Sequence, residues 1–259
     1  MYSLEMYSKP TRVIIFDQDR PFLIPPSITH LMYMDDFHGI KGRLPPQLIN
    51  LYLNSIFPEV LDFSLPSSLT HLTLGELFNK RLDNVDAPNV THLKFETKCK
   101  FNFQVDTLPS TLTHISFGAY FNQPVDKLPE GLSHLSFGEL FNRVVEHLPE
   151  NLTHLTFGMH FNQKVDFLPN TLTYLKFGRS FNQTVDKLPP NITHICFGEY
   201  FHRNISHLPK SITHLELADS YNFVSILTTA HDQKGYVVDK SKLPPNVIHF
   251  KFGYFTYTF

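Results

Sequence analysis

Leu108-Pro109-Ser110-Thr111-Leu112-Thr113-His114-Ile115-Ser116-Phe117-Gly118-Ala119-Tyr120-Phe121-Asn122-Gln123-Pro124-Val125-Asp126-Lys127 sets the fold, because the same 20-residue pattern continues from it without a gap. The Leu-Pro pair returns at 128–129, 148–149, 168–169, 188–189 and 208–209. Looser units come earlier, opening at Pro25, Pro45, Pro66 and Pro88 with spacings of 20, 21 and 22 residues. A last unit opens at Leu243-Pro244, 35 residues after the preceding one, so about 15 residues are inserted there. Counted by opening prolines there are eleven units, the last incomplete. A fixed period of this length marks a repeat architecture in which each unit packs on its neighbours.

Within a unit, Leu132, Leu135 and Phe137, or Leu152, Leu155 and Phe157, follow the spacing Leu-x-x-Leu-x-Phe. The last four positions alternate apolar with polar, the period of a short half-buried strand. Proline in every opening, and again in mid-loop at Pro124, forbids a full helix and favours extended or single-turn backbone. Copies that all run the same way stack only as a parallel ladder. One unit alone buries too little apolar surface to offset the entropy of ordering its backbone, so stacking must supply the rest. The expected fold is a mainly β repeat solenoid; Leu-x-x-Leu-x-Phe at this period resembles the strand of a leucine-rich repeat, which implies a leucine-rich-repeat-like curved parallel sheet of about eleven units with an irregular or single-turn convex side. Residues 1–22 are expected to form an N-terminal cap with one extra strand at Arg12–Phe16, and Asp17–Arg20 its polar exit.

Composition agrees with a folded chain and excludes several classes. Of 259 residues, 42% are hydrophobic and 18% charged, which argues against disorder. No apolar run reaches the length of a membrane span, and Met1–Lys9 has no basic segment followed by an apolar one. The expectation is therefore an intracellular, cytoplasmic protein without membrane contact. A formal charge of -2 gives no electrostatic reason to expect nucleic acid. Cys99 and Cys196 are too few for a disulfide framework or a zinc site of their own. The 25 Phe, 19 Pro and 15 His are excesses written by the repeat itself.

The pattern Leu-Pro-x-x-Leu-Thr-x-Leu-x-Phe-Gly-x-x-Phe-Asn-x-x-Val resembles the FNIP repeat, a relative of the leucine-rich repeat. Its name-giving segment stands at Phe121-Asn122-Gln123-Pro124, with variants at Phe101-Asn102, Phe141-Asn142, Phe161-Asn162 and Phe181-Asn182. The resemblance runs over about residues 23–259. It implies a repeat scaffold of the kind typical of social amoebae and of giant viruses that infect them. Some relatives carry an F-box ahead of the repeats, which implies a ubiquitin-ligase substrate adaptor. About 22 residues precede the first unit here, fewer than an F-box needs, so that role would draw on another protein's F-box. The asparagine also sits later than in the usual leucine-rich pattern, with Asn122 five residues after Phe117. Asn79, Asn102, Asn122, Asn142, Asn162, Asn182 and Asn222 are expected to cap loop carbonyls from that position.

With Leu112, Ile115 and Phe117 inward, His114 and Ser116 point out of the sheet onto its open face. The His column reads His30, Asn50, His71, His92, His114, His134, His154, Tyr174, His194, His214 and His249. The expectation is a stacked ladder of imidazoles, each bonded to a threonine or a backbone group. Beside it runs a changing set: Tyr33, Thr73, Lys94, Ser116, Ser136, Thr156, Lys176, Cys196, Glu216 and Lys251. Within the insertion, two apolar runs around His231-Asp232-Gln233-Lys234-Gly235 read as a β-hairpin at about 223–238, with Tyr236 on its return. The aromatic end, Phe250–Phe259, is expected to fold back over the last unit, the alternative being pairing with another chain.

Catalytic residues occur once in a defined constellation, and nearly every polar residue here is explained by its column. No phosphate-binding loop, zinc-hydrolase helix or nucleophile elbow is present in the sequence. The function expected is therefore recognition of a protein partner, without a cofactor, by a monomer rather than a homo-oligomer. His114, His134, His154, Tyr174, His194, His214, Lys94, Lys176 and Glu216 would carry it, assisted by His231, Lys234 and Tyr236. The alternatives are metal or small-ligand binding along the His ladder, since imidazole suits Zn, Cu and Ni, and the ubiquitin-ligase role implied by the resemblance.

Overall fold

The structure, a computed structural model, describes residues 12–15, 24–33, 44–54, 65–82, 85–218, 223, 227–232 and 235–259. The repeat strands are β2 (His30–Tyr33), β3 (Asn50–Leu53), β4 (His71–Leu74), β5 (His92–Phe95), β6 (His114–Ser116) and β7 (His134–Ser136). They continue as β8 (His154–Thr156), β9 (Tyr174–Lys176), β10 (His194–Phe197), β11 (His214–Leu217) and, past the insertion, β14 (His249–Phe252). β1 (Arg12–Ile15) precedes them, and β15 (Phe255–Thr258) follows. These thirteen strands form one sheet in the order β1 to β11, then β14 and β15. Every neighbouring pair is parallel except the last, where β15 returns antiparallel to β14. Gly253, at φ 57, makes that reversal possible with a backbone conformation other residues rarely adopt. The chain is a parallel β-solenoid of roughly 20-residue turns with very little helix: a 3-10 turn at Lys240–Lys242 and, at the start of the insertion, helical backbone at Phe223 and Leu227 where a strand was expected.

Each turn is built the same way. The opening proline supplies a fixed φ, and its carbonyl accepts from the N–H three residues on, as in Leu132 to Pro129 at 3.1 Å and Leu152 to Pro149 at 3.1 Å. That turn delivers Leu132 inward and starts the strand. After the strand comes a glycine whose place has no room for a side chain. A Cβ on Gly158 would lie 1.9 Å from the Gly138 carbonyl oxygen, and one on Gly178 2.0 Å from that of Gly158. Close approach of successive turns, not an unusual φ, demands glycine here. The strand Phe and the Phe after the glycine then stack inside the unit, Phe137 on Phe141 at 3.7 Å and Phe117 on Phe121 at 3.8 Å. Between units the same rings repeat nearly parallel but wider apart than the strands, Phe121 to Phe141 at 6.1 Å and 3°. Leu112, Ile115, Phe117, Phe121 and Val125, and their counterparts along the array, form one continuous buried core.

Asparagine seals the loop after that core, in a way the sequence does not reveal. The Asn142 side-chain oxygen accepts from the backbone N–H of Asn162 at 2.9 Å, and Asn102, Asn122, Asn162 and Asn182 do the same for the next turn. The group satisfied is an N–H, not the carbonyl expected. The Asn carbonyls are met instead by the following residue of the next turn, Gln123 to Asn102 at 3.0 Å and Arg143 to Asn122 at 2.9 Å. Asn222 and Asp17–Arg20 lie outside the described residues.

The insertion folds as an antiparallel pair, β12 (Thr228–Asp232) and β13 (Gly235–Val238). Asp232 pairs with Gly235, so the strands extend into the five-residue turn read from the sequence and the reversal lies within it. Leu227 is fully buried at its base, and its carbonyl accepts from Asp239 N–H at 2.7 Å, so the hairpin is anchored to the core.

Candidate functional site

Alternation along each strand sends two side chains per turn onto the open face of the sheet, and the register stacks them into two columns. The first is the histidine column, aligned from His30 to His249 with Asn50 and Tyr174 as its exceptions. The second aligns Met32 and Tyr52 with Thr73, so the residue contributed by β2 is Met32. Tyr33, expected there, instead pairs with Leu53 in the buried column, 3% exposed, where burial pushes its phenol up to about 12. The offset was legible in the sequence, since Met32 follows His30 by the same two residues by which Ser116 follows His114.

The imidazoles stack in two runs. His71, His92, His114, His134 and His154 lie 4.1–4.2 Å apart with planes within 15°. His194, His214 and His249 continue at 4.0 and 4.5 Å. Tyr174 separates the two runs, 5.6 Å from His154 and 6.4 Å from His194. Except at His249, which follows Ile248, the hydroxyl just before each ring holds it: Thr113 Oγ1 lies 2.8 Å from His114 Nδ1, Ser133 Oγ 2.9 Å from His134 Nδ1, and Thr153 Oγ1 2.9 Å from His154 Nδ1. The same hydroxyls contact the carbonyl of the previous turn, Ser133 to Thr113 at 3.2 Å and Thr153 to Ser133 at 3.0 Å. A hydroxyl has one proton and a carbonyl only accepts. Both contacts are hydrogen bonds when the hydroxyl donates to the carbonyl and accepts from Nδ1–H. The network thus assigns the proton to Nδ1 and turns Nε2 outward as a bare acceptor.

Burial and then the neighbouring rings hold several of these imidazoles below their ordinary pKa. His92, His134 and His214 are lowered, and His114, in mid-run, falls to about 4. The ladder is therefore neutral at pH 7 at these positions. Its geometry is unsuited to chelation, because imidazole lone pairs lie in the ring plane and those of stacked rings run parallel instead of converging. Among the described residues no group of three or more His, Cys, Asp or Glu could share a metal ion.

Between β5 and β9 the second column shrinks to Ser116, Ser136 and Thr156, bounded by Lys94 and Lys176. The result is a hollow of about 380 Å³ on the strand face, floored by the three hydroxyls and walled by His92, His114, His134, His154 and Tyr174. No carboxylate lines it. Lys94 reaches Glu96 at 3.0 Å, whereas Lys176 is exposed and has no ion-pair partner among the described residues. Further along, Glu216 pairs with Lys251 and lies 3.6 Å from Cys196 Sγ. Burial, then Glu216, raises the Cys196 thiol to about 11, and burial raises Cys99 to about 11, so neither is a thiolate nucleophile at neutral pH. On the hairpin, His231 and Tyr236 are register partners, about five turns beyond the hollow's centre in chain order, while Lys234 lies outside the described residues.

A parallel solenoid of 20-residue turns with Leu-x-x-Leu-x-Phe strands defines a leucine-rich-repeat-like scaffold. The chain belongs to the FNIP repeat family, whose model matches residues 38–77, 78–120, 141–180 and 181–220. Among solved structures it is similar to CroV588, a novel circular leucine-rich-repeat protein structure, with 30% identity and a TM-score of 0.61 over 94% of this chain and 43% of that one. It shares its fold with YopM from Yersinia enterocolitica WA-314, at 18% identity and TM-score 0.50 over 89% of this chain and 52% of that one. YopM of Yersinia pestis, a leucine-rich effector protein, gives 17% identity and 0.53 over 89% and 67%. This chain thus spans less than half of CroV588 and about half to two thirds of the YopM proteins. No curated protein matches the chain significantly. No helix among the described residues is long and apolar enough to cross a membrane.

Proposed function

We propose that this chain recognises a protein partner through the strand face, with the hollow between β5 and β9 as the centre of contact. One observation carries the reading. The core, turn, glycine and asparagine columns repeat almost unchanged, whereas the second strand-face column changes chemistry at nearly every step, from Thr73 through Lys94, Ser116 and Lys176 to Glu216. A fixed platform bearing a variable row is how repeat scaffolds present a binding surface. His114, His134, His154, Tyr174, His194 and His214 flank that row and give it a rigid, polar border.

The test is affinity purification from host-cell lysate with the intact chain and two variants. One replaces His114, His134 and His154 by Asn, a residue already accommodated at Asn50. The other removes the hairpin residues 229–236. A partner lost with the His variant and kept by the hairpin variant supports the strand face. A partner kept by the His variant and lost with the hairpin variant moves recognition to β12–β13 and overturns the reading.

A further inference from the structure

The hollow has a chemistry that selects its occupant, and the inference rests on the strand-face reading above. Its border offers acceptors, the outward Nε2 atoms of His92, His114, His134 and His154. Its floor offers donors, the hydroxyls of Ser116, Ser136 and Thr156, and Lys176, the next residue of that column beyond Thr156, adds an exposed ammonium beside it. No carboxylate lines the hollow and its own Lys94 is paired with Glu96, so the uncompensated charge next to it is positive. A polypeptide backbone has N–H groups for the imidazole row and carbonyls for the hydroxyls, and acidic side chains complete the match at Lys176. We propose that this hollow binds an extended acidic peptide segment of a partner, laid across strands β5 to β9. The span from Lys94 to Lys176 is four strand spacings, roughly 19 Å, which about six extended residues cover. A basic segment would meet the lysines at both ends with like charge, and an apolar one would leave the hydroxyls and imidazoles unpaired.

The experiment is a fluorescence-anisotropy titration of the full chain at pH 7 with labelled hexaglutamate and, separately, hexalysine. Hexaglutamate should bind with hexalysine showing none, and the affinity should fall about tenfold with Lys176→Glu. Ser136→Asp, which plants a carboxylate in the floor, should reproduce the loss. Lys164→Glu makes the same charge change at an exposed loop position away from the strand face and should leave the affinity within about twofold. Circular dichroism confirms that each variant is folded. Equal losses with Lys164→Glu and Lys176→Glu, binding of hexalysine, or no binding of hexaglutamate would each overturn the acidic-segment assignment. Such a failure leaves the strand-face reading standing if the triple His variant still loses its cellular partner; that reading falls only if the partner is kept.

Discussion

At the scale of single residues the histidine column is the most informative feature. Its sequence signal was plain, since a residue type recurring three positions before the strand Phe must stack on itself in a parallel ladder. The preceding Thr or Ser was visible too, but only the geometry shows that it bonds both the ring and the previous turn and so fixes the tautomer. A consequence follows for pH. His92, His114, His134 and His214 have folded pKa values below the ordinary 6.5, through burial and then through neighbouring imidazoles. Below that ordinary value the unfolded chain takes up protons that the folded chain refuses, so stability is lost as pH falls from about 6.5 towards 4. The urea midpoint should be level from pH 8 to 7 and decline steadily from 6.5 to 4.5. His114→Asn should reduce that decline, and an equally steep profile in the variant would place its cause elsewhere.

At the scale of the element, one turn of the solenoid, most of the strand was legible and most of the loop was not. Alternation and the Leu-Pro opening locate the strand to within a residue because burial on one side dictates them. The loop is held by contacts 20 residues apart, and local sequence does not say which of two polar groups an asparagine will serve. The glycines make the same point. Gly131 and Gly158 look alike in the sequence, yet a Cβ on Gly131 would meet nothing nearer than 3.5 Å, and one on Gly158 would enter the backbone of the turn beneath. Thr111, Asn151 and Thr171 already occupy the position of Gly131 in other turns. Gly131→Ala should therefore stabilise by about 0.4–1 kcal/mol through the unfolded state. Gly158→Ala should destabilise by roughly 1–3 kcal/mol, by forcing two turns apart. Chemical denaturation of the two variants side by side decides it, and similar values would mean that the array yields at the contact.

At the scale of the whole molecule the number and direction of the turns came from the period, while the ends did not. β15 folds back on β14, closing the sheet with the aromatic run, and its turn uses the consensus glycine after Phe252 in a left-handed conformation that the other described glycines do not adopt. Between the ends, the five ungapped units keep every column in register. Removing residues 128–147 joins Lys127 to Leu148 and sets each column against its own kind again. The shortened chain should fold cooperatively, with a urea m-value reduced in proportion to the residues removed. Removing only 128–137 would set loop positions against strand positions and should leave the protein unfolded or aggregated. Cooperative folding of the shorter deletion, or collapse of the longer one, would show that register is not what couples the turns.

The in-register stack of interchangeable turns also bears on inheritance. Misaligned recombination between two copies within the coding sequence, in multiples of one period, would lengthen or shorten the array without disturbing its core. Each such event would shift the spacing between Lys94 and Lys176 by a whole strand, so a lineage could try new binding spans without first passing through a misfolded ancestor.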